Sequence, residues 1–175
     1  MGLVQWCQYY LEEYWVALVI HPKLPQILES NWSPPKDPLY KINVDGTIFP
    51  SQKEASVRVI IRDQRGLFIS GLSKKILTPL DAIEVEAKAF KASFTFAVAV
   101  GIRDFVIEGD TDSLNIVQAL RGESPPPSSV APLIYGVFAV VNDFWSIHFS
   151  HVRRTSNWLA HLLAMHVLGI CDFSA

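Results

Sequence analysis

Residues 39–49 read LYKINVDGTIF, and the alternation in this stretch decides the fold. Tyr40, Ile42 and Val44 fall on one face of an extended chain, and Lys41, Asn43 and Asp45 fall on the other. A period of two of this kind marks a β-strand, here Leu39 to Phe49. Working outward, Val57 to Arg62 is β-branched and apolar, Asp63-Gln64-Arg65-Gly66 has turn composition, and Leu67 to Leu72 resumes an extended run. Three such strands joined by short turns make an antiparallel meander. A helix is expected from about Leu80 to Val100, with Ile83, Ala87, Phe90, Phe94 and Ala97 as its apolar stripe and Gly101 as its stop. Asp104 to Glu108 then reads as a short strand, and Ser113 to Leu120 as a short helix ending before Gly122. Pro125-Pro126-Pro127-Ser128-Ser129 is a loop in which Ser128 or Ser129 can cap a helix reaching Asn142. Trp145 to Val152 reads as the last strand and Ser156 to Leu168 as the last helix, with Gly169 past its end. The order β-β-β-α-β-α-α-β-α implies an α/β fold, a mixed sheet with helices on its faces.

Upstream of this region, residues 3–19 have helical spacing through Val4, Cys7, Leu11, Tyr14 and Leu18. His21-Pro22 ends that helix, and the prolines from Pro25 to Pro38 mark a linker. The chain therefore divides into residues 1–37, a helix and Pro-rich linker, and residues 38–175, the main domain.

Half of the residues are hydrophobic, enough for a full core and too many for a disordered chain. A net charge of −2 argues against a protein that grips nucleic acid by bulk electrostatics, though not against one that holds phosphates through metal ions. Cys7 and Cys171 form neither a disulfide framework nor a zinc spacing. No apolar run approaches the ~18 residues of a membrane span. Glu12 and Glu13 interrupt the opening stretch, and Trp6 stands where myristoylation expects Ser or Thr. The expectation is a soluble intracellular monomer of the nucleus or cytoplasm, with no membrane partner.

Three carboxylates stand out. Glu86 lies three residues after Ile83 and four before Phe90, inside the apolar stripe, where a carboxylate is costly unless something compensates it. Taken alone it is as readily a salt-bridged acid at the core edge. Asp45 ends a strand before Gly46, although Asp-Gly alone usually marks a turn. Asp110 follows the strand Val106-Ile107-Glu108-Gly109. Asp112, two residues on, reads first as the N-cap of the helix at Ser113 and second as a ligand. Together, carboxylates at two strand ends and on the intervening helix can converge at one edge of a sheet. Such hard oxygen ligands suit Mg²⁺ or Mn²⁺. Two ions ~3.5–4 Å apart can activate a water and stabilise the leaving oxygen in phosphodiester cleavage.

The strings YKINVDG, VIIRDQRG, EVEAKAF, VIEGD and SHVRRTSNWLAHLLA resemble the type 1 ribonuclease H domain, in particular the reverse-transcriptase-associated version of plant non-LTR retrotransposons. The likeness runs over roughly residues 32–168. It implies a five-stranded ribonuclease H-like fold and two-metal cleavage of the RNA strand of an RNA–DNA hybrid. Asp45 then matches the first acid and Glu86 the helix acid. Asp110 matches the third acid counted forward from Gly101, and Asp112 counted backward from Leu120. His161, in Asn157-Trp158-Leu159-Ala160-His161, takes the slot of the last acid; imidazole is a poorer Mg²⁺ ligand but can assist proton transfer. The resemblance places substrate contacts at Asn43, Gly46, His151, Arg153, Arg154 and Asn157, although for His151, Arg153 and Arg154 a solvated basic turn is the stronger reading. Family glycines of the second strand are Ser56 and Arg58 here, and an arginine in a close-packed glycine position is expected to distort the sheet or lower stability. Two activities follow: an endonuclease acting on hybrids, or a catalytically impaired, retroelement-derived module that binds nucleic acid or protein. An exonuclease on the same fold is a weaker third.

Overall fold

A computed structural model of the chain describes residues 33–109 and 113–151, the last through its backbone. The expected helices at 3–19 and 156–168 lie outside the described residues. Five strands form one sheet: β1 (Tyr40–Phe49), β2 (Glu54–Arg62), β3 (Phe68–Ile76), β4 (Asp104–Gly109) and β5 (Ser146–His151). Helices α1 (Ala82–Ala99), α2 (Leu114–Leu120) and α3 (Ala131–Val141) complete the described elements. The sheet order is β3-β2-β1-β4-β5. The meander β1-β2-β3 is antiparallel, whereas β1-β4 and β4-β5 are parallel. This is the expected mixed sheet.

The alternation read in β1 holds in three dimensions. Ile42 pairs with Ile61 and Val44 with Val59 across β1 and β2, and Ile42 pairs with Ile107 of β4. All five side chains are buried in one apolar cluster with Phe90 and Phe94 of α1, Ile116 of α2 and Ile134 of α3. Burying each such side chain contributes about 1.5–3 kcal/mol. Phe94 anchors the centre, with edge-on contacts to Phe105 at 5.8 Å and Phe144 at 5.6 Å between ring centroids. These contacts tie α1 to β4.

Element ends depart from expectation in instructive ways. β2 begins at Glu54 and β3 runs to Ile76, because Ala55–Ile76 pairing continues a ladder that composition alone does not mark. α1 starts after Asp81, whose backbone N–H donates to Glu84 Oε2 at 2.9 Å, and ends where Gly101 takes φ 79°. The cap of α2 is Ser113 rather than Asp112. α3 is preceded by Val130, not by Ser128 or Ser129, with Pro132 in the first turn, where its missing N–H costs no bond. The arginine in β2 does not distort the sheet: the β1–β2 ladder runs unbroken from Lys41–Arg62 to Phe49–Glu54, through Asp45–Arg58.

Candidate active site

The site begins where β1 meets the first turns of α1. Gly46 follows Asp45, and its backbone packs directly on α1: a Cβ there would lie 2.9 Å from both the carbonyl carbon and oxygen of Val85 and 3.0 Å from the Glu86 nitrogen. Any side chain at Gly46 would push the strand off the helix. The close approach therefore seats Asp45 beside the peptide that carries Glu86. Gly109 at the end of β4 does the same one turn further on, since its Cβ would lie 2.7 Å from the Phe90 ring. Both strand ends are thus drawn against one face of α1, and that face carries Glu86.

Asp45 is 2% exposed and Glu86 4% exposed. Thr47 Oγ1 donates to Asp45 Oδ2 at 3.0 Å, which fixes the orientation of the carboxylate. Arg58 faces Asp45 across the β1–β2 ladder and is 1% exposed. Its Nε donates to Ser73 Oγ at 3.0 Å and its Nη2 to Ser56 Oγ at 3.2 Å. Burial pushes the Arg58 guanidinium down to about 10, while the Asp45 charge pulls it back up, so it stays cationic at neutral pH.

The same sheet face holds a second buried polar cluster. Lys41 Nζ lies 2.7 Å from Glu108 Oε1, and the Lys41 ammonium also donates to the Ser33 carbonyl at 2.6 Å. Asn43 Nδ2 donates to Glu108 Oε2 at 3.0 Å, and Asn43 Oδ1 accepts from Arg62 Nη2 at 2.6 Å. Burial lowers Arg62 to about 10 against the pull of Glu108. Asn43 is fully buried with both ends of its amide engaged, and it braces β1 against β4. Gly46 likewise serves packing. Sequence reading passed over Lys41, Arg62 and Glu108, because alternating charges on a strand normally mean a solvated face. The available signal was register: in the ladder closed by the turn at residues 50–53, Asp45 opposes Arg58 and Lys41 opposes Arg62.

Of the remaining expected site residues, His151 ends β5 opposite Gly109. Asp110, Asp112, Arg153, Arg154, Asn157 and His161 lie outside the described residues. Among the described residues no three His, Cys, Asp or Glu side chains cluster as a metal site, so Asp45 and Glu86 are the part of the expected ligand set that can be placed. No helix among them is long and apolar enough to cross a membrane.

A sheet of this order has counterparts among known proteins. The family described as reverse transcriptase-like matches residues 43–167. The chain belongs to the reverse transcriptase-like family. That span holds Asp45, Arg58 and Glu86. No curated protein matches the chain by sequence. Among solved structures, the RNase H1 of the halophilic archaeon Halobacterium salinarum is 19% identical, with a TM-score of 0.67 over 74% of this chain and 96% of that one. The N-terminal RNase H domain of a Mycobacterium tuberculosis protein is 18% identical, with a TM-score of 0.64 over 72% and 90%. LC11-RNase H1, solved in complex with an RNA/DNA hybrid, is 19% identical, with a TM-score of 0.63 over 72% and 94%. This reverse transcriptase-like chain therefore has the ribonuclease H fold.

Proposed function

We propose that this domain cleaves the RNA strand of RNA–DNA hybrids with the aid of two divalent ions, Mg²⁺ or Mn²⁺. The observation that supports this most directly is the Gly46 contact, which brings two buried carboxylates, Asp45 and Glu86, to one strand end. Their donor chemistry fits the ions, since hard carboxylate oxygens are what Mg²⁺ and Mn²⁺ take. Asp45 and Glu86 would hold them, with Asp110 or Asp112 as the third acid and His161 in the place of a fourth. When bound, such ions supply an activated water and stabilise the leaving oxygen. The chain's own residues prepare for this. Thr47 holds Asp45 Oδ2 in one orientation, and the absent side chain of Gly46 lets strand and helix close on each other. Burial of both acids keeps water from competing for them. A hybrid would be recognised by its A-form shape and 2′-hydroxyls, with His151, Arg153, Arg154 and Asn157 as contacts. The neighbour bound to an RNA/DNA hybrid supports this partner class. The likeness of the motifs to plant retroelement domains supports a retroelement origin.

The test is cleavage of a labelled RNA–DNA hybrid in Mg²⁺ and in Mn²⁺, comparing the native chain with Asp45→Asn. Cleavage that disappears with Asp45→Asn is expected; absence of Asp45-dependent cleavage with either ion would sink the enzyme reading. A second reading, an impaired domain that binds hybrids without cutting them, is favoured by the buried cation opposite Asp45. It predicts hybrid binding that persists without turnover.

A further inference from the structure

The strands beside the candidate site bury three cations, Lys41, Arg58 and Arg62, with two carboxylates, Asp45 and Glu108, on the same sheet face. Glu108 is already committed twice. It pairs with Lys41 at 2.7 Å, and its charge acts on Arg62, to which it is also linked through Asn43. Asp45 is the carboxylate whose charge acts on Arg58, its register partner. A buried guanidinium is tolerated when an opposite charge and hydrogen-bond acceptors surround it, and Arg58 has Asp45, Ser56 and Ser73.

We propose that Arg58 is the resident cation of the Asp45 site: it compensates this carboxylate in the metal-free domain and opposes the arrival of a divalent ion there. The inference rests on the reading of Asp45 as a metal ligand. Two features keep the opposition in force. Leaving the site would strip Arg58 of the Ser56 and Ser73 acceptors in a fully buried position, so it cannot swing aside without loss. Nor does proton loss silence it, since a guanidinium keeps its charge in proteins. A divalent ion at Asp45 therefore meets a fixed positive charge in a region of low dielectric, where such repulsion is little screened. The consequence is a site that fills only at high ion concentration, and with Mg²⁺ less readily than with Mn²⁺, which N/O sites bind more strongly in general.

The experiment is a Mn²⁺ titration of the full 175-residue chain without nucleic acid, read by electron paramagnetic resonance of the free ion. The native chain is compared with Arg58→Met, which keeps bulk without charge, and Arg58→Gln, which can still bond a serine hydroxyl. Each is also made with Asp45→Asn. The expected result is Mn²⁺ affinity at least about tenfold higher in the Arg58 variants, with the gain lost when Asp45 is Asn. Equal, Asp45-dependent affinity in native chain and variants overturns the role of Arg58 alone and leaves the metal reading of the site standing. No Asp45-dependent binding in any of them overturns both. Should neither variant fold, the native chain decides: Asp45-dependent binding in the micromolar range or tighter overturns the proposal, and binding confined to millimolar ion supports it.

Discussion

The two faces of the β1–β2–β4 platform are built from alternate residues of the same strands, yet they bury opposite kinds of chemistry. One face sets Ile42, Val44, Val59, Ile61 and Ile107 against the helices. The other buries Lys41, Asn43, Asp45, Arg58, Arg62 and Glu108. Apolar packing is non-directional, so the first face tolerates exchange of one aliphatic residue for another of like volume. Buried charge is directional and conditional, since each group is tolerated only while its partner is present. The first face therefore makes the fold stable, and the second gives it a chemically specific surface at the end of β1.

Truncation at the centre of the apolar face has the largest expected effect. Phe94→Ala removes the ring that meets Phe105 and Phe144 and should cost about 3–5 kcal/mol, read as a lower midpoint in urea unfolding. A loss of under about 1 kcal/mol would mean that the face is not the stability core.

On the polar face, Glu108→Leu leaves Lys41 and Arg62 buried without their shared carboxylate and should cost about 3 kcal/mol. Adding Lys41→Met should restore part of that loss, because one of the two orphaned cations is then gone. If the double variant is no more stable than the single one, the conditional character assigned to this face is wrong.

The smallest effect lies away from both faces, in the turn between β2 and β3. Burial alone would raise the Asp63 carboxyl, but hydrogen bonds from the Leu67 N–H and from the side chain and N–H of Arg65, with the Arg65 charge, hold it below its ordinary value of 3.8. Its folded pKa is therefore the lower one. The stability it contributes is fully present above 3.8 and drains away as pH falls through the folded value. Asp63→Asn should flatten the acid limb of a thermal-stability profile and leave a shallower slope below that pH; an unchanged limb would remove Asp63 from acid unfolding.

Much of this architecture is legible in the residues themselves. The alternation in LYKINVDGTIF, the turn at Asp63–Gly66 and the stripe from Ile83 to Ala97 all correspond to observed elements, because each depends on local periodicity. Helix caps were less legible. Ser128, Ser129 and Asp112 have capping chemistry, yet Val130 and Ser113 hold the cap positions, since where a helix begins depends on what its first turn packs against. The acids were half legible. Glu86 stands out as a charge within an apolar stripe, whereas Asp45 in Asp-Gly looks like a turn until Gly46 is seen pressed on α1.

By itself, the sequence determined the strand order of the meander, the helical face that carries Glu86 and the membership of Asp45 in the polar half of β1. These follow from intervals of two and of three or four residues, which are properties of the chain. Only the tertiary structure decided that this polar half is buried and that Arg58 fits it without breaking the ladder. It also decided that Asp45 lies opposite a buried cation, Arg58. Burial and charge pairing depend on which strands lie side by side and in what register, and residues 13 positions apart become partners only when the sheet closes.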